Sequence, residues 1–176
     1  LSRKSIDSLF TGGIEMKREN YLSWDEYFIG LAHLSALRSK DPNTQVGACI
    51  VSQDKKVVGI GYNGLPKGCD DDEFPWGKVG DKLDTKYPYV VHAELNAILN
   101  SGADLRNCTL YVSLFPCNEC AKAIIQAGIT RVVYECDKNW TSEGAIASRK
   151  MFDAACVTYD KLPKRYTIHI DVEDNV

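Results

Sequence analysis

The chain has 176 residues, 44% of them hydrophobic and 26% charged, and a formal net charge of −3 from 21 Lys and Arg against 24 Asp and Glu. Length and composition fit one globular domain with a core of its own and exclude a disordered chain, which needs low hydropathy and high net charge. The acidic excess counts against a protein that coats a long polyanion, and no apolar run approaches the roughly 18 residues of a membrane helix.

Residues 1–20 are polar and contain Gly12-Gly13, which predicts a flexible N-terminal arm ahead of a domain over 21–171 and a short tail at 172–176. Ser23-Trp24-Asp25-Glu26 is a capping-box pattern. Trp24, Phe28, Leu31, Leu34 and Ser35 then recur at helical spacing, predicting a helix to about Ser39. After a turn at 40–45, Val46 to Val51 and Val57 to Tyr62 read as a β-hairpin. Residues 63–88, rich in Gly, Pro and acid, form a loop long enough to suggest a functional role. Residues 92–101 read as a helix, Thr109 to Leu114 as a strand, and Cys117 to Ala127 as a helix stopped by Gly128. Ile129 to Glu135 is a strand, 142–155 a helix, and Val157–Tyr159 and Tyr166–Ile170 late strands. This order predicts an α/β fold, a three-layer α/β/α sandwich around a mixed sheet.

The seven cysteines lack the dense spacing of a small secreted scaffold, so a reducing compartment is expected, the cytoplasm with the nucleus as alternative. The first twenty residues hold no apolar signal core, although a chain that begins at Leu1 leaves room for a segment before it. Asn107-Cys108-Thr109 and Asn139-Trp140-Thr141 match the glycosylation pattern and are read as chance.

Two short stretches carry chemistry, His92-Ala93-Glu94 and Pro116-Cys117-Asn118-Glu119-Cys120. Cys117 and Cys120 are three apart and share one face of a helix start, where the dipole favours thiolate. With His92 they make three zinc ligands and leave a fourth position for water, the arrangement of a catalytic rather than a structural site. Glu94 need not be a ligand; beside a zinc-bound water whose pKa is lowered to about 7, its carboxylate can take a proton and return it elsewhere. H-x-E followed by P-C-x-x-C is the pattern of zinc nucleobase deaminases. A structural zinc site with a fourth Cys, and a redox role for Cys117 and Cys120, are the alternatives. The redox reading leaves His92 and Glu94 idle.

At these residues the chain resembles the zinc-dependent cytidine/deoxycytidylate deaminase superfamily, and within it the deoxycytidylate (dCMP) deaminase family. The likeness continues through Arg38-Ser39-Lys40-Asp41-Pro42-Asn43, Gln45 to Val51, Gly59-Ile60-Gly61-Tyr62-Asn63-Gly64, Lys82 to Val90, Leu114 to Lys122 and Ile125 to Ile129. It spans about residues 21 to 158. The resemblance implies a five-stranded mixed sheet, a homo-oligomer that is commonly a hexamer, and hydrolysis of dCMP to dUMP and ammonia for thymidylate synthesis. It implies one catalytic Zn2+ per subunit, with Glu94 as the proton carrier and His92, Cys117 and Cys120 as ligands. It implies that Ala93 and Pro116, beside the motif, hold the base, that Asn43 contacts the sugar, and that Arg38 and Ser39 take the 5′-phosphate, with Lys40 a weaker candidate. It implies activation by dCTP with Mg2+ and inhibition by dTTP near Tyr62, Asn63 and Gly64, although Gly61 and Gly64 could instead only shape a strand end. One departure stands out. Asp137-Lys138-Asn139-Trp140 replaces the Asp-Lys-Tyr of the animal enzymes, where the Tyr helps close the site. Trp140 could substitute for it or belong to the core. Rival readings are a polynucleotide or nucleoside cytosine deaminase and an inactive, zinc-stabilised assembly module; the −3 charge argues against the polynucleotide enzyme, a need for the 5′-phosphate would set the nucleoside enzyme apart, and an intact Glu94 argues against the module.

Overall fold

The computed structural model describes residues 16–171. Residues 16–20 are exposed and carry no regular structure, while the rest of the expected arm, 1–15, and the tail at 172–176 lie outside the described residues. In chain order the elements are α1 (Trp24–Ala36), β1 (Gly47–Val51), β2 (Val57–Tyr62), α2 (Ala93–Leu99), β3 (Thr109–Leu114), α3 (Asn118–Gln126), β4 (Arg131–Cys136), α4 (Glu143–Ala154) and β5 (Thr158–Lys161). The sheet order is β2-β1-β3-β4-β5. β1 runs antiparallel to β2 and β3, whereas β3, β4 and β5 are mutually parallel, so the sheet is mixed, as expected.

Each boundary has a local cause. Both halves of the capping box at α1 form: Ser23 Oγ accepts the Glu26 N–H at 3.3 Å and Glu26 Oε2 accepts the Ser23 N–H at 2.8 Å. The helix ends at Ala36 rather than Ser39, because Leu37, Arg38 and Ser39 turn their N–H groups to the carbonyls three residues back. β1 is buried throughout, the continuous apolar run of a strand covered on both faces. Gly128 takes φ +79° just after α3, a conformation that favours glycine.

The two faces of the sheet are covered unequally. α1 alone lies on one face, where Phe28, Ile29 and Ala32 meet Cys49, Val51, Tyr111 and Val133. α2, α3 and α4 cover the other, where Ala97, Ile124 and Phe152 join a larger core with Ile50, Leu110, Val112 and Val132. The three layers of the expected sandwich are therefore present. The strand expected at Val157–Tyr159 is displaced: Thr158–Lys161 pairs with β4, beginning one residue later and ending two residues later than predicted. The predicted strand at Tyr166–Ile170 does not form. Pro163 interrupts the chain, and the Tyr166 N–H goes to the Glu135 carboxylate rather than to a ladder. Tyr166 instead packs on the α1 side, its hydroxyl donating to Glu26 Oε1 at 3.0 Å.

Candidate active site

The two motifs converge at the carboxyl ends of β3 and β4, where open α/β sheets hold their ligands. His92 is the N-cap residue of α2 and Cys117 that of α3, so Cys117 stands just outside the helix and Cys120 in its first turn. His92 Nδ1 lies 3.3 Å from Cys117 Sγ and 3.4 Å from Cys120 Sγ. Among the described residues these three form the one cluster of His, Cys, Asp or Glu close enough to share an ion, all ligand atoms within 4.8 Å of one another. A tetrahedral ion at ordinary zinc bond lengths spans N and S ligands about 3.5 Å apart, so spacing and donor chemistry both fit Zn2+.

The three side chains act on one another's protons. The hydrogen bond from the Cys120 thiol pulls Cys117 down to about 3, with the His92 imidazole adding to it against the pull of burial. Cys117 in turn holds His92 up at about 9. The Cys117 thiolate, then burial, push Cys120 up. Binding a divalent cation requires thiolate and neutral imidazole, so it releases protons from this trio.

Glu94 follows in the first turn of α2 and is 4% exposed. Burial raises its carboxyl above the ordinary range, opposed by the His92 charge. Upward displacement moves a carboxyl toward the range in which general acid–base groups work. Its position depends on how closely α2 lies on β2: a Cβ at Gly61 would stand 2.3 Å from both the Ala93 carbonyl oxygen and the Ala97 nitrogen. The other motif is fixed from α4, where buried Ser148 donates to the Pro116 carbonyl at 2.9 Å.

The buried Ala93 and Glu94 line, with the exposed His92 and the half-buried Cys117, a cavity of about 340 Å³, a size suited to a small molecule. Asp41, Thr44, Val46 and Asn63 line one wall, Lys86, Tyr87 and Val90 another, and Lys78, Lys138 and Asn139 its mouth. The Lys86 ammonium is bonded to the Asp41 carboxylate, so Lys78 and Lys138 leave the mouth positive. Burial works against the Asp41 carboxylate, but Lys86 and the N–H groups of Asn43 and Thr44 outweigh it and hold its pKa below the ordinary value.

The residues carried over from the resemblance divide. His92, Ala93, Glu94, Cys117 and Cys120 come together, and Pro116 holds the loop between Phe115 and Cys117. Asn63 lines the cavity, its amide already engaged with Val46 N–H, Thr44 carbonyl and Asp41. Tyr62 and Gly64 act here through their backbones: Asn96 Nδ2 donates to the Tyr62 carbonyl at 2.8 Å, and Gly64 pairs with Val91. Arg38, Ser39 and Asn43 are outside the lining. Arg38 is exposed, Ser39 Oγ donates to the Asn63 carbonyl at 2.8 Å, and Asn43 Nδ2 donates to the Trp76 carbonyl at 3.1 Å. Lys40 pairs with Asp71 at the surface. Trp140 belongs to the core edge: it packs on Phe115 and Tyr134, with the Arg149 guanidinium 3.9 Å from its ring centroid. Asn139, not Trp140, therefore faces the cavity. The lining residues Lys78, Lys86, Tyr87, Val90 and Lys138 escape sequence reasoning, although the unusual length of the 63–88 loop marks the segment that carries the first three of them.

Comparison with known proteins agrees with this geometry. Residues 22–136 match the family model for the cytidine and deoxycytidylate deaminase zinc-binding region. A human deoxycytidylate deaminase is 58% identical over 160 residues, which cover 89% of this chain and 90% of the human protein. A probable deoxycytidylate deaminase of Drosophila melanogaster is 53% identical, over 89% of this chain and 81% of the fly protein. The crystal structure of dCMP deaminase from cyanophage S-TIM5 in complex with dCMP and dUMP superposes with a TM-score of 0.63 at 25% identity, covering 78% of this chain and 95% of that one. The chain belongs to the cytidine and deoxycytidylate deaminase family.

Proposed function

We propose that the protein hydrolyses dCMP to dUMP and ammonia, using one Zn2+ held by His92, Cys117 and Cys120. The observation that carries this reading is the buried Glu94 carboxyl, which lines one cavity with His92 and Cys117, two members of the three-ligand cluster that Cys120 completes. When bound, zinc supplies a water whose pKa lies near 7. Glu94 accepts a proton from the attacking water and passes it to ring N3 as C4 is attacked. Glu94 then takes the proton of the new C4 hydroxyl and gives it to the amino nitrogen; the C4–N bond breaks as the C4 carbonyl forms, and ammonia leaves. The Ala93 backbone beside Glu94 meets the base, and the Leu114-Phe115 segment closes the apolar side of the cavity. Lys78 and Lys138 at the mouth attract a phosphorylated substrate over a neutral nucleoside.

The reading extends to what the family resemblance implies: supply of dUMP for thymidylate synthesis, a homo-oligomer such as a hexamer, activation by dCTP with Mg2+, and inhibition by dTTP. The described residues contain no helix long and apolar enough to cross a membrane, and all seven thiols are unpaired. Unpaired thiols support a reducing compartment, the cytoplasm or the nucleus.

The test is a deamination panel on zinc-loaded protein with dCMP, deoxycytidine, cytidine and single-stranded DNA, products resolved by chromatography. The reading expects dCMP to turn over at least 100-fold more efficiently than the others. Turnover of a nucleoside or DNA with dCMP untouched would overturn it.

A further inference from the structure

Residues 64–91 leave the sheet edge and return to it at one point, where Gly64 and Val91 exchange backbone hydrogen bonds of 3.1 and 2.8 Å. Three ties bind this excursion to the turn after α1. Lys40 pairs with Asp71, Asn43 Nδ2 donates to the Trp76 carbonyl, and Lys86 pairs with Asp41. The first two are exposed and, open to solvent, contribute little. The third is different: the Lys86 side chain is 8% exposed and that of Asp41 0%.

The Asp41 carboxylate is a junction. Besides Lys86 it accepts the N–H groups of Asn43 at 2.8 Å and Thr44 at 3.2 Å, and the Asn63 amide at 3.3 Å. Asn63 continues to Val46 N–H and the Thr44 carbonyl. On the other side, the Lys86 carbonyl accepts the N–H groups of Tyr89 and Val90, both at 3.0 Å. One ion pair thus locks together two cavity walls, the one built from the turn after α1 and the one that precedes His92. A buried ion pair is a poor source of stability, because desolvation offsets most of the attraction and an apolar replacement of the pair is often neutral. What it does supply is a fixed geometry, at a wall that includes Thr44, to whose hydroxyl the exposed Lys138 ammonium donates at 3.4 Å.

We propose that the buried Lys86–Asp41 pair, cross-linked to Asn63, is a positioning device that holds these walls at the spacing the nucleotide's sugar and phosphate require. Lys86 and Asp41 act through the lining they fix and touch none of the reacting atoms. The inference rests on the dCMP reading above for its substrate.

The test compares wild type with Lys86→Arg, Lys86→Met and the double variant Lys86→Met/Asp41→Asn. The Asp41→Asn change keeps an acceptor for the Asn43 and Thr44 amides while leaving no unpaired charge. Each is measured for zinc content, thermal midpoint, kcat and KM for dCMP, and amide exchange over residues 77–91. Lys86→Met is expected to raise KM at least 10-fold at full zinc content with the larger part of the kcat/KM loss in KM, and to speed exchange at Tyr89 and Val90. The double variant recovers the thermal midpoint but not KM, and Lys86→Arg recovers most of both. A KM within twofold of wild type in Lys86→Met, or a double variant that restores KM together with stability, overturns the proposal. So does a loss of zinc, which would mean that the pair serves the metal centre. If wild type leaves dCMP untouched, the functional reading fails. In that case, unchanged exchange at Tyr89 and Val90 in Lys86→Met would overturn the wall's dependence on the pair, and faster exchange would support it.

Discussion

Gly61→Ala tests how the fold places the catalytic carboxyl. Gly61 has an ordinary backbone conformation, so the cost of a side chain there is one of space. The new Cβ would lie 2.3 Å from the Ala93 oxygen and from the Ala97 nitrogen, and 2.9 Å from the Ala97 Cα, all backbone of α2. Ordinary contact begins near 3.4 Å, so α2 must retreat by about 1.1 Å along that direction. Overpacking of this kind costs about 1–3 kcal/mol. The retreat carries Ala93 and Glu94 with it, and a misplacement near 1 Å costs about 100-fold in rate. Gly64→Ala is the control, because its Cβ would meet nothing nearer than the Tyr62 ring at 3.7 Å. Urea unfolding and dCMP turnover on zinc-loaded protein give both quantities. A Gly61→Ala protein with activity within threefold of wild type and an unchanged midpoint would refute the claim that β2 sets the position of Glu94 through contact with α2.

Other outcomes follow from the same structure. Chelation of zinc is expected to lower the thermal midpoint and abolish activity together, with Cys120→Ala reproducing both; a chelated protein that keeps its midpoint would contradict a metal-tied α2 and α3. Trp140→Ala should destabilise by about 3 kcal/mol, as loss of a large packed ring does, while leaving KM within a few-fold, because the ring packs on Phe115 and Tyr134 rather than in the cavity. Asp25 is held below its ordinary pKa first by the Arg131 guanidinium and then by the Tyr111 hydroxyl, against burial. A depressed folded pKa means stability that is fully present above the unfolded value of about 4 and lost as pH falls through the folded one. Asp25→Asn should therefore flatten the pH dependence of unfolding below about pH 4–5 and leave its shape at pH 6–8 unchanged.

The parts of this molecule written in local chemistry are legible in the sequence. Ser23 and Glu26 announce the start of α1 because a capping box is complete within four residues, and Gly128 announces the end of α3 for a similar reason. The zinc ligands are legible because few chemistries need His92, Glu94, Cys117 and Cys120 in that order. Tyr166–Ile170 misleads because its alternation satisfies a strand pattern, while the deciding partner, Glu135, is 31 positions away. Lys86 is hidden for the same reason: an isolated lysine in a polar loop reads as solvated, and only Asp41, 45 positions earlier, makes it a buried group. Trp140 is settled by packing, since its choice between cavity and core depends on where Phe115 and Arg149 stand. The positions of Arg38, Ser39 and Asn43 depend on which partners their turn finds in the long loop and in β2, information that no short motif contains.

The central claim is that Glu94 carries the proton at a site whose metal is held without it. Glu94→Gln keeps the size of the side chain and removes its capacity to exchange a proton. Zinc content and kcat for dCMP, measured on the same preparation, test the claim most directly. A fall in kcat of at least about 100- to 10,000-fold, the range of general acid–base catalysis, with a full equivalent of zinc retained, is the result expected. A variant that loses its zinc, or one that keeps both zinc and turnover, would contradict it.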